Sequence, residues 1–128
     1  MIFIDTNVLM YAVGRAHPLR EEARSFFKEA LARQDALVTS AEVLQELLHA
    51  YLPVGRLETL DAALHLADSS IPVVWAVEVE DVRLARLLIK RHPALSARDL
   101  LHLSCCKRRK VAKIMTFDRP LAAAFHKT

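Results

Sequence analysis

Short, continuously apolar segments alternate with longer amphipathic segments along this chain, and this alternation limits the folds that it can adopt. The short segments, at residues 2–4, 37–38, 73–77 and 113–117, predict strands. They lack the strict polar–apolar alternation of a sheet with one solvated face. They are therefore typical of a parallel sheet that is covered on both faces.

The longer segments predict helices that connect these strands. They lie at residues 18–33, 40–51, 57–67, 81–90, 97–109 and 120–126. In the second of them, Val43, Leu47 and Tyr51 fall on one apolar face, and Pro18 suits the first turn of the first helix. Strands joined by helices through right-handed crossovers predict a three-layer α/β fold, with a central parallel sheet flanked by helices.

The composition fits one domain that spans residues 1–128. The chain has 128 residues, 53% of them hydrophobic, with only 2 glycines and 5 prolines. No apolar run reaches the roughly 18–20 residues of a membrane span, and Asp5 interrupts the apolar N-terminus. We therefore expect no membrane segment and a cytoplasmic protein. Cys105 and Cys106 are adjacent and match no zinc spacing, so buried reduced thiols are expected.

Three acids near strand-to-helix junctions each have a local structural explanation. Asp5 could cap a helical turn that starts near Val8. Asp99 stands three residues after Ser96, which is the spacing of a capping box, and Asp118 could be the N-cap of the last helix. Taken singly, each acid is therefore better explained by helix capping than by catalysis.

Two glutamates in the second predicted helix are harder to separate. Thr39 and Glu42 have the spacing of a capping box, which gives Glu42 a structural role. Glu46 lies a full turn inside the helix, too deep to cap it. The structural alternative for Glu46 is a solvated polar face that it shares with Gln45 and His49.

The topology predicts that four acids converge, namely Asp5, Glu46, Asp99 and Asp118. Each follows a strand or stands early in a helix at the carboxyl edge of the sheet, where ligands of open parallel sheets bind. Clustered carboxylates repel one another, and a divalent cation would offset that cost. Carboxylate oxygens suit Mg²⁺ or Mn²⁺. The six histidines, at positions 17, 49, 65, 92, 102 and 126, are scattered and are expected to form no metal site.

Four segments, in order, resemble the motifs of PIN-domain nucleases and together span nearly the whole chain. FIDTNVLMYA resembles the first motif, a strand followed by D-x-N. VTSAEVLQELL resembles the second, with its acid at Glu46, and LSARDLLHLSCCKRRK the third, with its acid at Asp99. KIMTFDRPL resembles the fourth, T-x-D, with Thr116 and Asp118.

Small free-standing domains of this kind resemble the VapC-type toxins of toxin–antitoxin pairs. The resemblance implies a PIN-like fold and an endoribonuclease, dependent on Mg²⁺ or Mn²⁺, that acts on single-stranded RNA. It also implies a homodimer and inhibition by a cognate antitoxin. Asp5, Glu46 and Asp99 would hold metal, and Asp118 would bind a second ion or orient the attacking water.

Further residues are expected to support this site. Asn7 would position Asp5 or a metal-bound water, with an Asx turn as its alternative. Thr116 would hydrogen-bond a carboxylate or a substrate phosphate, or would be an ordinary strand hydroxyl. Arg15, Arg98 and Arg119 lie close to the predicted site and are candidates for RNA phosphate contacts.

The charge of the chain permits a nucleic-acid partner without identifying one, since the net charge is +3 and the pI about 9.1. The densest basic run, residues 107–110, is either a solvated helix end or a contact for more distant RNA phosphates. The alternative function is a non-cleaving RNA- or metal-binding α/β module. Retention of all four acids favours cleavage.

Overall fold

A computed structural model of the protein describes residues 1–127, and its elements follow the predicted alternation. The strands are β1 (Ile2–Ile4), β2 (Leu37–Ser40), β3 (Val73–Trp75) and β4 (Lys113–Met115). The helices are α1 (Thr6–Val13), α2 (Pro18–Arg33), α3 (Ala41–Tyr51), α4 (Leu57–Ser70), α5 (Val79–Leu88), α6 (Ala97–Arg108) and α7 (Arg119–His126). A 3₁₀ turn, Leu52–Val54, joins α3 to α4.

The four strands form one parallel sheet in the order β3-β2-β1-β4. Ile2 of β1 lies opposite Leu37 on one side and Lys113 on the other. The chain builds outward from β1 to β3 and then returns to the opposite side of β1 for β4. This reversal of strand order opens a crevice at the carboxyl ends of β1 and β4, the place where open α/β sheets bind ligands.

The helices fall into two packed groups, as a three-layer fold requires. Helix α1 packs against α2, α3 and α4, whereas α6 packs against α5 and α7. The larger apolar cluster includes Phe3, Val8 and Leu47, and a smaller one joins Leu88 and Leu103. Burial of one such side chain stabilises the fold by about 1.5–3 kcal/mol. This packing fixes α1, α3 and α6 around the crevice.

Helix α1 differs from its prediction. The sequence suggested only a turn near Val8, but the helix begins at Thr6, directly after Asp5, and continues to Val13. Val8 and Leu9 are completely buried. These apolar side chains pack into the core, and that packing supports a helix longer than a capping turn.

Strand β3 is less covered than the sequence predicted. Val73 and Val74 are 43% and 40% exposed, so the expectation of a sheet covered on both faces is wrong for this strand. The physical reason is its place at the edge of the sheet, where only β2 flanks it. Its apolar sequence could not reveal that position.

Two other expectations concern the cysteines and the membrane. Cys105 and Cys106 are buried free thiols, as predicted. Burial raises the pKa of the Cys105 thiol to about 12, so this side chain stays protonated at neutral pH. Within residues 1–127, no helix has both the length and the apolar character needed to cross a bilayer.

Candidate active site

A cavity of about 340 Å³ opens at the carboxyl edge of the sheet, and all four predicted acids line it. The carboxylates come from the ends of β1 and β4 and from α3 and α6. The lining residues are Asp5, Thr6, Asn7, Met10, Glu46, His49, Ala50, Ser96, Arg98, Asp99 and Asp118. The topology therefore brings together residues that are far apart in the chain.

Asp5 caps a helix and also lines the cavity. Its Oδ1 accepts a hydrogen bond from the Thr6 N–H at 2.8 Å, as a residue preceding a helix does. Its Oδ2 accepts from the Thr116 hydroxyl at 2.6 Å and from the Asn7 amide at 3.3 Å. Only 5% of the residue is exposed. The two alternatives for Asp5 are therefore compatible.

Thr116 and Asn7 tie the end of β4 to the start of α1. The Thr116 hydroxyl donates to Asp5 and accepts from the Asn7 amide at 3.3 Å and from the Asp118 N–H at 3.0 Å. One donor and two acceptor sites are thus all used. Asn7 Oδ1 in turn accepts from the Phe117 N–H at 3.1 Å. Because each bond fixes its neighbour, the Asp5 carboxylate is oriented by Asn7, two positions along the chain, and by Thr116, 111 positions away.

Glu46 points into the site and not to bulk solvent, so its solvated-face alternative is wrong. Its side chain is 11% exposed. Its Oε2 accepts from the Thr6 hydroxyl, and its Oε1 lies 3.1 Å from His102 Nε2. Among the residues that line the cavity, Glu46 is present and Glu42 is not.

The capping box that was expected to explain Glu42 does not form. The N-cap of α3 is Ser40, and its side chain makes no capping hydrogen bond. The Thr39 hydroxyl instead donates to the Ile4 carbonyl at 2.8 Å, across the sheet. The strand continues to Ser40, so Thr39 is paired within the sheet and cannot serve as the cap.

His102 contacts the candidate site, and the sequence reasoning missed it. The imidazole is fully buried, and its Nε2 lies 3.1 Å from Glu46 and 3.7 Å from Asp5. One potential ligand atom from each of these three residues lies within 4.8 Å of the others. The scattered histidines were expected to form no metal site, but His102 lies beside two of the candidate acids. The signal was present, because His102 follows Asp99 by three residues and so lies one turn further along the same helix face.

Asp99 and Asp118 stand at helix starts, as predicted. The Ser96 hydroxyl oxygen accepts from the Asp99 N–H at 3.2 Å, and Asp118 Oδ1 accepts from the Leu121 N–H at 3.1 Å. The bond at Ser96 uses the backbone of Asp99, so it leaves the carboxylate of Asp99 for the cavity. Capping and a place in the site coexist here as they do at Asp5.

The pKa values of two of the acids are raised because these charges are buried close together. Burial raises the pKa of Asp5, and the attraction of His102 only partly offsets it. Burial also raises the pKa of Asp99, and the nearby charges of Asp118 and Asp5 raise it further. A cation among these carboxylates would relieve both the desolvation and the repulsion. The carboxylate oxygens of this cavity fit Mg²⁺ or Mn²⁺, whereas His102 Nε2 is engaged by Glu46.

The pKa values of Glu46 and His102 shift in the directions expected of a paired acid and base. Burial alone would raise the pKa of Glu46, but the hydrogen bond and charge of His102 hold it below its ordinary value. Burial alone would lower the pKa of His102, but Glu46 and Asp5 outweigh burial and raise it. The pair is thus stabilised in its charged form before any metal binds.

The arginines named from the sequence are placed differently. Arg98 lines the cavity, and its charge acts on Glu46. Arg15 and Arg119 are exposed and, as far as the described residues go, are not among those that line the cavity. Only Arg98 is therefore positioned to face a phosphate within the cavity itself.

The basic run at residues 107–110 has a structural role that the sequence did not predict. Arg108 and Arg109 donate to the buried Asp81 of α5, at 2.7 and 2.8 Å. Arg109 also lies over the Trp75 ring, 5.0 Å from its centroid. Two of the four cations thus hold α5 against α6, while Lys107 and Lys110 are exposed to solvent.

Comparison with known proteins agrees with this geometry. The PIN domain family model matches residues 2–125. Ribonuclease VapC23 of Mycobacterium tuberculosis is 62% identical over 125 residues, which are 98% of each chain. The crystal structure of VapC20 from the same species, described as a sarcin–ricin loop cleaving toxin, superposes with a TM-score of 0.78 at 21% identity, covering 97% of this chain and 95% of that one. VapBC2 from Rickettsia felis, bound to a promoter DNA fragment, gives 0.68 at 20% identity, covering 92% and 88%.

A parallel sheet with carboxylates gathered at its switch point defines a class of α/β protein with a candidate metal site. The chain belongs to the PIN-domain family and, within it, to the VapC-type toxins. This confirms the fold and the family that the four sequence motifs indicated. The solved structures support the fold, and the curated relative supports membership of the VapC-type toxins.

Proposed function

We propose that this protein is a divalent-metal-dependent endoribonuclease, built as one domain of residues 1–128, and the toxin of a toxin–antitoxin pair. The observation that carries the proposal is the convergence of four carboxylates in one cavity at the switch point of the sheet. The near full-length similarity to a curated ribonuclease, at 62% identity, supports it. The reaction is hydrolysis of an RNA phosphodiester bond by water.

The roles of the acids follow from their positions. Asp5, Glu46 and Asp99 would hold a Mg²⁺ or Mn²⁺ ion, and Asp118 would hold a second ion or orient the attacking water. The bound ion supplies a Lewis acid that activates water and stabilises the charge that develops on the phosphate. Thr116 and Asn7 hold the Asp5 carboxylate in one orientation through the hydrogen bonds described above.

Cations on the protein would meet the RNA backbone. Arg98 lines the cavity and contacts a phosphate next to the scissile bond. Arg15 and Arg119 are exposed and contact phosphates further along the strand. These charges oppose the repulsion between the acids and the RNA, so substrate binding weakens as the salt concentration rises.

The assembly and partners are inferred from family membership. The protein forms a cytoplasmic homodimer and is held inactive by a cognate antitoxin. Light scattering that shows only a monomer at high micromolar concentration would remove the dimer. Exposed aliphatic side chains, among them Val79 and Val82 of α5 at 60% and 55%, offer surface for such contacts.

The test compares cleavage of a pooled RNA by the wild-type protein and by Asp5→Asn, in Mn²⁺ and in EDTA. Asparagine keeps the shape and one of the two acceptor oxygens, and it removes a charge that repels the neighbouring acids. The lost hydrogen bond and the relieved repulsion oppose each other, so the melting temperature should change little. Cleavage should fall by roughly a hundredfold or more. Metal-independent cutting, or a fully active Asp5→Asn variant, would contradict the proposal. RNA binding without any cleavage would favour the alternative of a non-cleaving binding module.

A further inference from the structure

Three aromatic rings form a cluster outside the acid cavity, and the site described so far leaves them without a function. The Tyr11 ring lies 4.9 Å from the His17 ring and 5.5 Å from the Phe117 ring, measured between centroids. Tyr11 and Phe117 meet edge to face at 88°. Tyr11 and Phe117 are half-buried and His17 is exposed, so solvent reaches the cluster from the His17 side.

Two of these rings, Phe117 and Tyr11, are close in the chain to residues that line the cavity. Phe117 stands between Thr116 and Asp118, and its N–H donates to Asn7 at 3.1 Å. Tyr11 lies one helical turn after Asn7 on α1, and residues four apart share a helix face. Asn7 and Asp118 line the cavity, so the aromatic cluster lies next to the edge of the acidic cavity.

The His17 ring is held in place before any ligand binds. Its Nδ1 accepts a hydrogen bond from the Leu19 N–H at 3.1 Å and so caps α2. The neutral ring therefore carries its proton on Nε2, which is then the donor available to a ligand. A ring fixed in this way loses little freedom when a planar group stacks on it.

Two exposed arginines lie close to these rings in the sequence. Arg15 precedes His17 by two residues, and Arg119 follows Phe117 by two, and both arginines are exposed. Cations beside aromatic rings are the arrangement by which proteins hold single-stranded nucleic acid, since the rings stack on bases and the cations meet phosphates.

We propose that Tyr11, His17 and Phe117 form a stacking subsite for an unpaired nucleobase of the RNA strand whose scissile phosphate lies in the acid cavity. The inference rests on the proposed endoribonuclease function and adds to it the means of selecting single strands. A base can reach these rings only when it is unstacked, and a duplex does not present one. Because every base has a π face, the subsite selects single strands without reading their sequence.

The competing explanation is that the rings only pack at the rim of the core, which Tyr11 and Phe117 also contact. The variants must therefore separate aromatic character from bulk. Tyr11→Phe keeps the ring, whereas Tyr11→Leu keeps an apolar side chain without it. His17→Asn keeps a capping group for α2 without the ring.

The experiment measures the anisotropy of a fluorescently labelled, unstructured RNA octamer in EDTA, with the RNA checked on a gel to be intact. Tyr11→Phe should bind like the wild type. Tyr11→Leu and His17→Asn should each bind about fivefold to a hundredfold more weakly, the loss expected for one stacked base. His65→Asn is the matched control, because His65 is exposed on α4 and away from the cavity. It should leave the affinity unchanged.

A set of octamers, each with one abasic position, tests the contact itself. Removing the base at one position should weaken binding to the wild type. Removing the same base should have no further effect on binding to Tyr11→Leu. Such coupling would not arise if the ring only supported the fold. Equal affinities for all variants, losses that match their melting temperatures alone, or a wild type that does not bind the octamer would overturn the subsite. The proposed nuclease function is judged separately, by cleavage of pooled RNA by the wild type in Mn²⁺.

Discussion

At the residue scale, Glu46 and Glu42 show that position within one helix decides which acid reaches the cavity. The two side chains are four residues apart on α3, and the Glu46 side chain is only 11% exposed. Glu46 contacts Thr6 and His102 at the cavity, whereas Glu42 stands in the first turn of the helix. An acid in a first turn interacts favourably with the helix dipole, which is a modest and local effect.

The pair offers a matched test of the site. Glu46→Gln should lower RNA cleavage by about a hundredfold to a thousandfold, because it removes charge from the candidate metal site. Glu42→Gln should leave most of the cleavage activity and reduce stability by less than about 1 kcal/mol. Initial cleavage rates and thermal melts of both variants provide the measurement. If Glu42→Gln were the inactive variant, the assignment of the acid in α3 would be wrong.

His102 supports a second prediction at this scale. Its Nε2 is hydrogen-bonded to Glu46, and the ring packs against Phe3 with centroids 5.5 Å apart. His102→Leu should keep the packing and release Glu46, which should weaken Mn²⁺ binding by about tenfold to a hundredfold. His102→Gln keeps an N–H donor and should restore part of the loss. Calorimetric titration with Mn²⁺ measures the affinity of each variant. Equal affinities for the wild type and His102→Leu would refute the idea that His102 positions Glu46 for the ion.

At the scale of the elements, a buried ion-pair cluster joins α5 to α6. The Asp81 side chain is completely buried and accepts hydrogen bonds from Arg108 and Arg109. It also accepts from the Glu78 N–H at 2.8 Å, which caps α5. Burial alone would raise the pKa of Asp81, but the bonds from Arg109, the Glu78 backbone and Arg108 hold it well below its usual range.

Asp81→Asn should therefore destabilise the fold by about 3–5 kcal/mol at neutral pH, the usual cost of breaking a buried pair. Because the pKa is lower in the folded state, the ionised Asp81 stabilises the protein above its unfolded pKa of about 4 and loses this effect as the pH falls further. The difference between wild type and variant should shrink below about pH 4. Urea unfolding across pH 3–7 checks this, and a difference independent of pH would contradict it.

At the scale of the whole molecule, the cavity couples metal binding to folding. Its four acids come from β1, α3, α6 and the end of β4, so only the folded chain assembles them. An ion that binds the native state alone adds RT ln(1 + [L]/Kd), which is about 2.7 kcal/mol at a hundredfold excess over Kd.

Millimolar Mn²⁺ should therefore raise the melting temperature of the wild-type protein. The rise should be much smaller in Asp5→Asn, which lacks one of the charges that would hold the ion. Thermal melts across a Mn²⁺ titration provide the measurement. A wild-type melting temperature that does not respond to Mn²⁺ would argue against a preformed site.

The sequence by itself determined the elements, apart from helix α1, and the edge of the sheet that carries the acids. Hydrophobic periodicity is a local property, so residues 18–33 predicted α2 with the bounds that the structure shows. The same local pattern placed Asp5 directly after β1 and Asp118 shortly after β4, which ends at Met115. Parallel strands then place both at one edge, because their carboxyl ends point the same way.

Only the tertiary structure decided which distant side chains meet. His102 and Glu46 are 56 residues apart, and Asp81 and Arg109 are 28 apart. The choice between Glu42 and Glu46, and the exposure of β3, likewise depended on how helices and strands pack around one another. The physical reason is that periodicity fixes which face of an element is apolar. The rotation and neighbours of each element are set by close packing of the whole core, which no single segment encodes.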